Sequence, residues 1–443
     1  MTASVRRSRA RWALRGTGWT GTEQCIHDRL QDGSFQGSLY FRALTDDLAV
    51  PSTPVAIAAF TAVSALGTGC AAHVAALRTG RSGLRRNDYA PNGPPLPCWI
   101  GRVDDRSLRP APGLDTRLHR LLILALAQDD FGTLLTRALS DCGATRVALV
   151  LGTSTANIET SEQAYRRLDH GHLPRDLADA RVYHLHGPAE WLCAHTGIAG
   201  PAFTVSTACS ASAKAFGLGA RLLHAGIADA VLVAGADSLC SSTLYGFNAL
   251  QLVDAAQCRP FDVERAGLSI GEGAALVLLR RVADAPGAPR LLACGESSDA
   301  HHLSAPHPEG LGATRALQAA LHECALPAQA FDYINLHGTA SRQNDAVEAA
   351  LVAQALPGVS ASSTKGATGH TLGAAGALEA VLTLLALHEG VVPATVGCIR
   401  PEPGIAAQLA LVPQARALRR ALSFSFGFGG SNACLAFAGA DAA

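Results

Sequence analysis

The sequence has very little lysine and no excess of charge of either sign. It contains 443 residues, of which 36 are basic and 36 acidic. Only two of the basic residues are lysines, Lys214 and Lys365, and the single methionine is Met1. A chain without net charge lacks the basic surface that binds nucleic acids or anionic membranes, so neither partner is expected. The two lysines either mark positions where an ammonium group is chemically preferred or were left by chance.

The sequence also lacks features of membrane and secreted proteins. We see no apolar run of about 18 residues, so no membrane span is expected. The N-terminal arginines are not followed by the apolar segment of a signal peptide. The twelve cysteines form no C-x-x-C pairs. They are expected to be reduced thiols, which predicts a cytoplasmic protein.

Three regions are predicted from composition and pattern. Residues 1–53 are rich in arginine, glycine and polar residues, and they predict a disordered extension or an upstream start that is not used. Two α/β regions follow, at 54–286 and 287–443. Strand and helix patterns alternate in both, which favours parallel crossover units. One helix is predicted for Thr116–Leu139.

The two α/β regions show a faint internal repeat. The helix that begins near Cys209 ends in Leu-Leu-His-Ala-Gly226, and the helix that begins near His370 ends in Leu-Ala-Leu-His-Glu-Gly390. Two related halves that face each other would bring the two helix starts together.

Cys209 lies where a short strand pattern, Phe203–Thr207, changes to a helix of very small residues. A cysteine at such a turn faces the positive end of the helix, which stabilises a thiolate. Cys209 is therefore a candidate nucleophile. The alternative is a structural core cysteine, which most of the twelve must be.

Two histidines of the second half stand at element boundaries. His337 directly follows a strand pattern, and the carboxyl ends of strands in open α/β sheets usually carry ligand sites. His370 ends the segment Lys365-Gly-Ala-Thr-Gly-His370 and precedes a helix of small residues. Each alone could be an ordinary hydrogen-bonded histidine. Together, both beside glycine and threonine, they indicate a site.

Four motifs in order resemble those of β-ketoacyl-ACP synthases, the elongating condensing enzymes of the thiolase superfamily. They are Thr207-Ala-Cys-Ser-Ala-Ser212, His337-Gly-Thr339, Lys365 with Thr368-Gly-His370-Thr-Leu-Gly-Ala-Ala-Gly376, and Phe426-Gly-Phe-Gly-Gly-Ser-Asn432. The resemblance extends from about Val55 to Phe437. It implies an α/β thiolase fold, in which two pseudo-repeated halves pack as a five-layered α-β-α-β-α core. The segment Ser298-Asp-Ala-His-His-Leu303 looks like that of bacterial secondary-metabolite synthases, such as those that make aryl polyenes.

The resemblance implies a 3-oxoacyl-[acyl-carrier-protein] synthase. Such an enzyme catalyses the decarboxylative Claisen condensation of a cysteine-bound acyl group with malonyl-ACP, in fatty acid or polyene and polyketide elongation. Its substrates are carried on the phosphopantetheine of acyl carrier protein, and no other cofactor is expected. No metal is expected either, because the histidine pairs at 184/186 and 301/302 lack acidic or cysteine partners.

The resemblance also implies roles for individual residues. Cys209 accepts the acyl group, and its backbone N–H and that of Phe428 form the oxyanion site. His337 and His370 stabilise the enolate that decarboxylation leaves. The other implied roles are imidazole orientation by Lys365 and Glu379, contact with the phosphopantetheine arm by Thr339 and Ser341, gating by Phe428, and substrate contact by Phe426 and His302.

The sequence departs from the family pattern at two places. Gly366 and Ala367 replace bulkier residues, and Ser341-Arg-Gln-Asn-Asp345 replaces a more usual Thr-Pro-Leu-Asn-Asp. These changes are expected to alter pocket shape or specificity.

Two other functions remain open at this point. A CoA-dependent thiolase is disfavoured because 427–432 lacks a second cysteine, and a non-catalytic chain-length-factor-like subunit is disfavoured because Cys209 is present. The partners implied are acyl carrier protein and either a second copy or a ketosynthase-like chain-length partner. Four arginines either attract the acidic carrier or are ordinary solvated residues: Arg85, Arg86, Arg117 and Arg120.

Overall fold

The structure is a computed structural model that describes residues 53–91 and 93–442. The predicted extension, residues 1–53, lies outside the described residues except for Thr53. The strands of the first half are β1 (Val55–Ser64), β2 (Gly67–Thr68), β3 (Arg85–Arg86), β4 (Trp99–Gly101), β5 (Val147–Gly152), β6 (Ala202–Val205), β7 (Ala230–Asp237), β8 (Ile270–Gly271) and β9 (Gly273–Arg281). Its helices are α1 (Gly69–Thr79), α2 (Arg117–Leu126), α3 (Phe131–Cys142), α4 (Ile158–Arg166), α5 (Gly187–Thr196), α6 (Ala211–His224) and α7 (Ser241–Ala249).

The second half begins at β10. Its strands are β10 (Arg290–Ser298), β11 (Tyr333–Asn335), β12 (Ser360–Ser362), β13 (Val391–Val392), β14 (Gln414–Ala415), β15 (Arg420–Gly427) and β16 (Ser431–Ala438). Its helices are α8 (Leu311–Glu323), α9 (Arg342–Ala355), the short α10 (Lys365–Thr368) and α11 (Ala375–Glu389).

One 11-stranded sheet runs through both halves in the order β12-β11-β15-β16-β10-β1-β9-β7-β5-β6, with β2 paired to β1. The halves meet where β1 pairs with β10, at Val55 opposite Leu291 and Ala56 opposite Arg290. Only this short antiparallel contact joins two sets of five strands within the main path. The remaining short strands form a β13-β14 pair and a β3-β4-β8 sheet.

The two sets of five strands have the same pairing pattern. In the first half β5 pairs in parallel with β6 and β7, and β9 pairs antiparallel with β7 and β1. In the second half β11 pairs in parallel with β12 and β15, and β16 pairs antiparallel with β15 and β10. The predicted internal repeat is therefore confirmed by the topology.

Three layers of helix cover the two sets of strands. Helices α6 and α11 lie between them, and their apolar residues share one core with the inner strand faces. Helices α2, α3 and α5 pack on the outer face of the first set. Helices α8 and α9 pack on the outer face of the second. This arrangement is the predicted α-β-α-β-α core, which is confirmed.

The central helix α11 corrects the expectation that no apolar run of membrane length exists. The segment Leu372–Glu389 has 18 residues with a mean hydropathy of 1.4, and 89% of it is buried inside the protein. A helix covered on all sides by other elements is apolar around its whole circumference. The length and composition of this segment therefore reflect its position between two sheets.

The prediction of one helix at Thr116–Leu139 is wrong, because the chain breaks between α2 and α3. Asp129 and Asp130 adopt positive φ values of 52° and 55° there. The Asp129 carboxylate accepts hydrogen bonds from Thr61 Oγ1 at 2.7 Å and from the Cys70 N–H at 2.8 Å. These long-range contacts stabilise a break that the local sequence does not encode.

Candidate active site

Cys209 lies in the 3-10 turn Ala208–Ser210, between β6 and α6. The preceding Ala208 has φ +51°, a conformation that side-chain-bearing residues rarely adopt. The turn is closed by a hydrogen bond that Ser210 Oγ donates to the Thr207 carbonyl at 2.9 Å. The thiol is buried, with Cys209 only 5% exposed.

The second half places His370 against this thiol. The His370 N–H donates to the Ser269 carbonyl at 2.8 Å, and its carbonyl accepts from the Gly271 N–H at 2.9 Å, so the backbone is fixed on both sides. His370 Nε2 lies 3.0 Å from Cys209 Sγ. The structure thus brings the two helix starts together, as the repeat predicts.

His337 stands at the carboxyl end of β11, two residues after Asn335. Its ring lies 5.4 Å from the ring of His370, at an interplanar angle of 85°. The Glu348 carboxylate accepts hydrogen bonds from the His337 N–H at 2.6 Å and from the Gly338 N–H at 2.7 Å. A carboxylate on α9 therefore holds the backbone that carries the imidazole.

Lys365 determines which nitrogen of His337 carries the proton. Lys365 Nζ lies 3.3 Å from His337 Nδ1 and forms a buried ion pair with Glu379. An ammonium group has donors only, so Nδ1 must accept and the His337 proton resides on Nε2. The three residues form one buried chain from carboxylate to imidazole.

Burial and a nearby positive charge keep both imidazoles neutral. The pKa of His337 lies well below 6.5, because burial disfavours the cation, with further contributions from Lys365 and His370. Burial and Lys365 lower the pKa of His370 in the same way. Burial raises the pKa of Glu379 to about 7, although Lys365 opposes this shift. Neutral imidazoles suit hydrogen bonding to an enolate.

Burial also determines the resting protonation state of the Cys209 thiol. It raises the pKa of the Cys209 thiol to about 12, although Lys365 and a hydrogen bond from the Phe428 N–H act in the opposite direction. The sequence argument from the helix start predicts a stabilised thiolate. The structure corrects it, because desolvation outweighs the favourable charges and the resting group is a thiol.

The glycine-rich segment after β15 brings a second backbone donor to the thiol. A hydrogen bond from the Phe428 N–H acts to lower the pKa of the Cys209 thiol. A Cβ on Gly427 would lie 2.7 Å from the Thr207 carbonyl oxygen, so only glycine permits this approach. The two turns are therefore packed backbone to backbone.

A cavity of about 560 Å³ opens beside these groups. Its wall includes the predicted residues Cys209, His337, His370, Thr339, Ser341, Phe426 and Phe428. The Phe426 ring lies 5.7 Å from His337, and the Phe428 ring lies 5.3 Å from Phe247. Thr339 Oγ1 and Ser341 Oγ are 3.0 Å apart. Lys365 and Glu379 lie behind the histidine and do not line the cavity.

His302 does not line this cavity, and it is exposed. Its Nδ1 accepts a hydrogen bond from the Ser304 N–H at 3.1 Å. The loop reaches the cavity through Ser304, Ala305 and Pro306 instead. A substrate contact for His302 therefore stays a prediction.

Three of the four arginines considered for carrier docking form ion pairs within the protein. Arg117 forms a bidentate pair with the fully buried Glu272. Arg120 pairs with Asp115 and Arg85 with Asp88. The hypothesis that Arg117 attracts the carrier protein is wrong, because its guanidinium neutralises the buried Glu272 carboxylate.

Sequence reasoning missed the two acidic residues of α9. The Asp345 carboxylate accepts from the Phe261 N–H at 2.8 Å and from the Ala340 N–H at 3.1 Å. Burial raises the pKa of Asp345 to about 6 and that of Glu348 to about 8. Asp345 and Glu348 follow the His337 motif and are three residues apart, which places both on one helix face. This spacing was the signal that could have identified them.

The Cys209 sulfur and one nitrogen from each histidine lie within 4.8 Å of one another, a spacing compatible with a metal ion. Lys365 Nζ, 3.3 Å from His337 Nδ1, places a positive charge beside this cluster. That charge opposes a bound cation. The donor set is therefore poorly suited to a resident metal.

The fold and this cysteine and histidine arrangement define a condensing enzyme of the thiolase-like class. Family models for the N-terminal and C-terminal domains of β-ketoacyl synthases match residues 135–285 and 290–398. The chain belongs to the β-ketoacyl synthase family and is a β-ketoacyl-ACP synthase, which confirms the prediction.

Several curated relatives are 3-oxoacyl-[acyl-carrier-protein] synthases. The type 2 enzyme of Rhizobium meliloti is 37% identical over 60% of this chain and 69% of its own length. A mitochondrial enzyme of Arabidopsis thaliana is 35% identical over 62% of this chain and 63% of its own length. The type 2 enzyme of Vibrio cholerae is 31% identical over 68% of this chain and 79% of its own length.

Solved structures of ketosynthases share the fold. A chain of the complex of ketosynthase ApeO with its chain length factor ApeC, from Xenorhabdus doucetiae, is 35% identical, with a TM-score of 0.78 over 87% of this chain and 98% of its own. A chain of the ishigamide ketosynthase/chain length factor is 27% identical, with a TM-score of 0.76 over 87% of this chain and 99% of its own.

Proposed function

We propose that this synthase condenses a Cys209-bound acyl group with malonyl-ACP, and that both substrates arrive on the phosphopantetheine arm of acyl carrier protein. The observation that carries the proposal is the contact of 3.0 Å between His370 Nε2 and Cys209 Sγ, with the neutral His337 beside it. A nucleophile and two neutral imidazoles at one cavity are the groups that acyl transfer and decarboxylation need.

The first half of the reaction transfers the acyl group to Cys209. As Sγ attacks the thioester carbonyl, its proton passes to His370 Nε2, and the oxyanion accepts hydrogen bonds from the backbone N–H groups of Cys209 and Phe428. The bond to the carrier sulfur then breaks, and the departing thiolate takes the proton from His370. The step forms one thioester, breaks another and leaves the imidazole neutral.

The second half uses the histidines as hydrogen-bond donors. Malonyl-ACP loses CO2, and the electron pair of the broken carbon–carbon bond forms an enolate on the thioester. His337 donates from Nε2, because Lys365 occupies Nδ1. Between the two halves the neutral His370 loses its Nδ1 proton to water and gains one at Nε2, so that it donates to the enolate from Nε2. The enolate carbon attacks the acyl-Cys209 carbonyl, the bond between that carbonyl and Sγ breaks, and the departing Cys209 thiolate takes a proton from water.

The thiolase alternative requires a second cysteine beside the nucleophile. Among the residues that line the cavity, Cys209 is the sole cysteine. Cys434, which follows the glycine-rich segment, is fully buried within β16. The geometry therefore favours decarboxylative condensation over CoA-dependent thiolysis. The eleven described cysteines are all free thiols, which supports a cytoplasmic location.

A second ketosynthase-like chain is the proposed oligomeric partner, either an identical copy or a chain length factor. The neighbours ApeO and the ishigamide ketosynthase support the second form, since each was solved with a chain length factor. Strand β6 is at the edge of the sheet, and its Phe203 is 41% exposed, as an edge that pairs with another chain would be. The molar mass of the purified chain, alone and with a co-expressed partner, distinguishes the two forms.

Intact-protein mass spectrometry after incubation with hexanoyl-ACP tests the proposed function. We expect one hexanoyl adduct on the wild type and none on Cys209→Ala, followed by formation of 3-oxooctanoyl-ACP when malonyl-ACP is added. A chain that takes no acyl group from a range of acyl-ACPs, with or without a chain length factor, would contradict the proposal.

A further inference from the structure

Four residues of the strip from His337 to Arg342 line the cavity and differ in their exposure to solvent. His337 is 2% exposed, Thr339 is 6% exposed, Ser341 is half-buried and Arg342 is exposed. These four residues become more exposed in sequence order, and Arg342 lies at the solvent-exposed end of a strip that begins at a catalytic group.

Among the residues that line the cavity, Arg342 is the sole arginine or lysine. Within the described residues its guanidinium forms no ion pair, whereas nearby Arg259 pairs with Glu264 and Arg265 with Glu402. The acidic residue of the same wall, Asp299, is already occupied. Its carboxylate accepts from the His307 N–H at 3.1 Å and from Asn432 Nδ2 at 2.8 Å.

The backbone of Arg342 is held in place, although its side chain forms no ion pair within the part of the chain that the structure describes. Its carbonyl accepts a hydrogen bond from Arg265 Nη2 at 3.0 Å, and Arg265 Nη2 also contacts Glu402 at 2.8 Å. Arg342 is the first residue of α9, whose Asp345 and Glu348 are buried. The rim is therefore rigid, and the guanidinium is presented from a defined place.

We propose that Arg342 binds the phosphodiester of the phosphopantetheine arm and so favours phosphorylated thioesters over those that lack the phosphate. The assignment rests on the proposed function, because that function places the arm in this cavity. The arm carries its sulfur at one end and its phosphate at the other. With the sulfur at Cys209, the phosphate reaches the mouth, where a guanidinium provides bidentate hydrogen bonds.

The departure of this chain from the usual family pattern gives the inference its specificity. At the place where the pattern has Thr-Pro-Leu-Asn-Asp, this chain has Ser341-Arg-Gln-Asn-Asp345. Arginine replaces a residue that has neither charge nor hydrogen-bond donor. The change adds an anion-binding group at the mouth and leaves the buried Asn344 and Asp345 in place.

The test compares two small thioesters that differ only in the phosphate. The rate of Cys209 acylation by hexanoyl-4′-phosphopantetheine and by hexanoyl-pantetheine is followed by intact mass. We expect the wild type to prefer the phosphorylated compound by about three- to tenfold, as suits a solvent-exposed charge pair. The preference should disappear in Arg342→Gln, reverse in Arg342→Glu and return in part in Arg342→Lys.

Arg137→Gln is the matched control, because Arg137 is an exposed arginine of α3 outside this cavity. It should retain the wild-type ratio. A wild type without preference, or an Arg342→Gln variant that keeps it, overturns the inference. The inference is also overturned if Arg342→Gln slows acylation by acyl-ACP and leaves the rates with both small thioesters unchanged, since Arg342 would then contact the carrier protein. Failure of every thioester and every acyl-ACP to acylate Cys209 would instead contradict the proposed function.

Discussion

At the scale of single residues, the resting protonation of Cys209 predicts an unusual pH profile. Burial raises the thiol pKa to about 12, so the reactive thiolate is a small fraction throughout the neutral range. Alkylation of Cys209 by iodoacetamide should therefore accelerate about tenfold per pH unit from pH 7 to pH 9. Peptide mass mapping gives the rate at this cysteine. A rate that is flat over this range would show a thiolate–imidazolium pair with His370 instead.

Another prediction at this scale concerns the arginine that neutralises Glu272. Arg117→Gln leaves a fully buried carboxylate without its partner, and we expect a loss of about 3–5 kcal/mol in the free energy of unfolding. Arg120→Gln is the control, because its pair with Asp115 is exposed and should contribute less than about 1 kcal/mol. Urea denaturation measures both. Equal effects of the two substitutions would contradict the assigned role of Arg117.

At the scale of elements, the contact between α6 and α11 places Cys209 and His370 relative to each other. A Cβ on Gly376 would lie 2.4 Å from the Ala213 backbone nitrogen. Gly376→Ala should therefore destabilise the protein by about 1–3 kcal/mol and slow acylation of Cys209, because the two helices must move apart. Thermal unfolding and intact mass measure the two effects.

Gly246→Ala is the control for this substitution. Gly246 lies within α7, and no neighbouring heavy atom is within 4 Å of a Cβ built on it. Helix propensity alone should make that variant as stable as the wild type or more stable, by up to about 1 kcal/mol. A Gly376→Ala variant that behaves like Gly246→Ala would show that the helix contact is not close.

Motifs and periodicity predicted many of the elements, and the family resemblance implied that Cys209, His337 and His370 share one site. They could not predict the break between α2 and α3, because Asp129 is held by Thr61 and Cys70 far away in sequence. The partner of Arg117 is 155 residues distant, at Glu272. The thiol pKa depends on burial, which no local pattern specifies. Long-range contacts and desolvation thus account for these misses.

At the scale of the whole molecule, the two halves share one apolar core. Helices α6 and α11 belong to different halves but contribute to one apolar cluster with strands of both. Fragments 54–286 and 287–443, expressed separately, should each expose this surface and aggregate or unfold without cooperativity. Circular dichroism with thermal unfolding checks this, with the intact chain as control. A cooperative transition in either isolated fragment would show that the halves fold independently.

The central claim is that the first half of the molecule holds the acyl group and the second half supplies the decarboxylation chemistry. The most direct test is His337→Ala, with acylation of Cys209 by hexanoyl-ACP and release of labelled CO2 from malonyl-ACP measured on the same sample. We predict near wild-type acylation and a loss of about 100-fold or more in CO2 release, because a donor to the enolate is gone. CO2 release at the wild-type rate, or equal losses in both steps, would contradict the account.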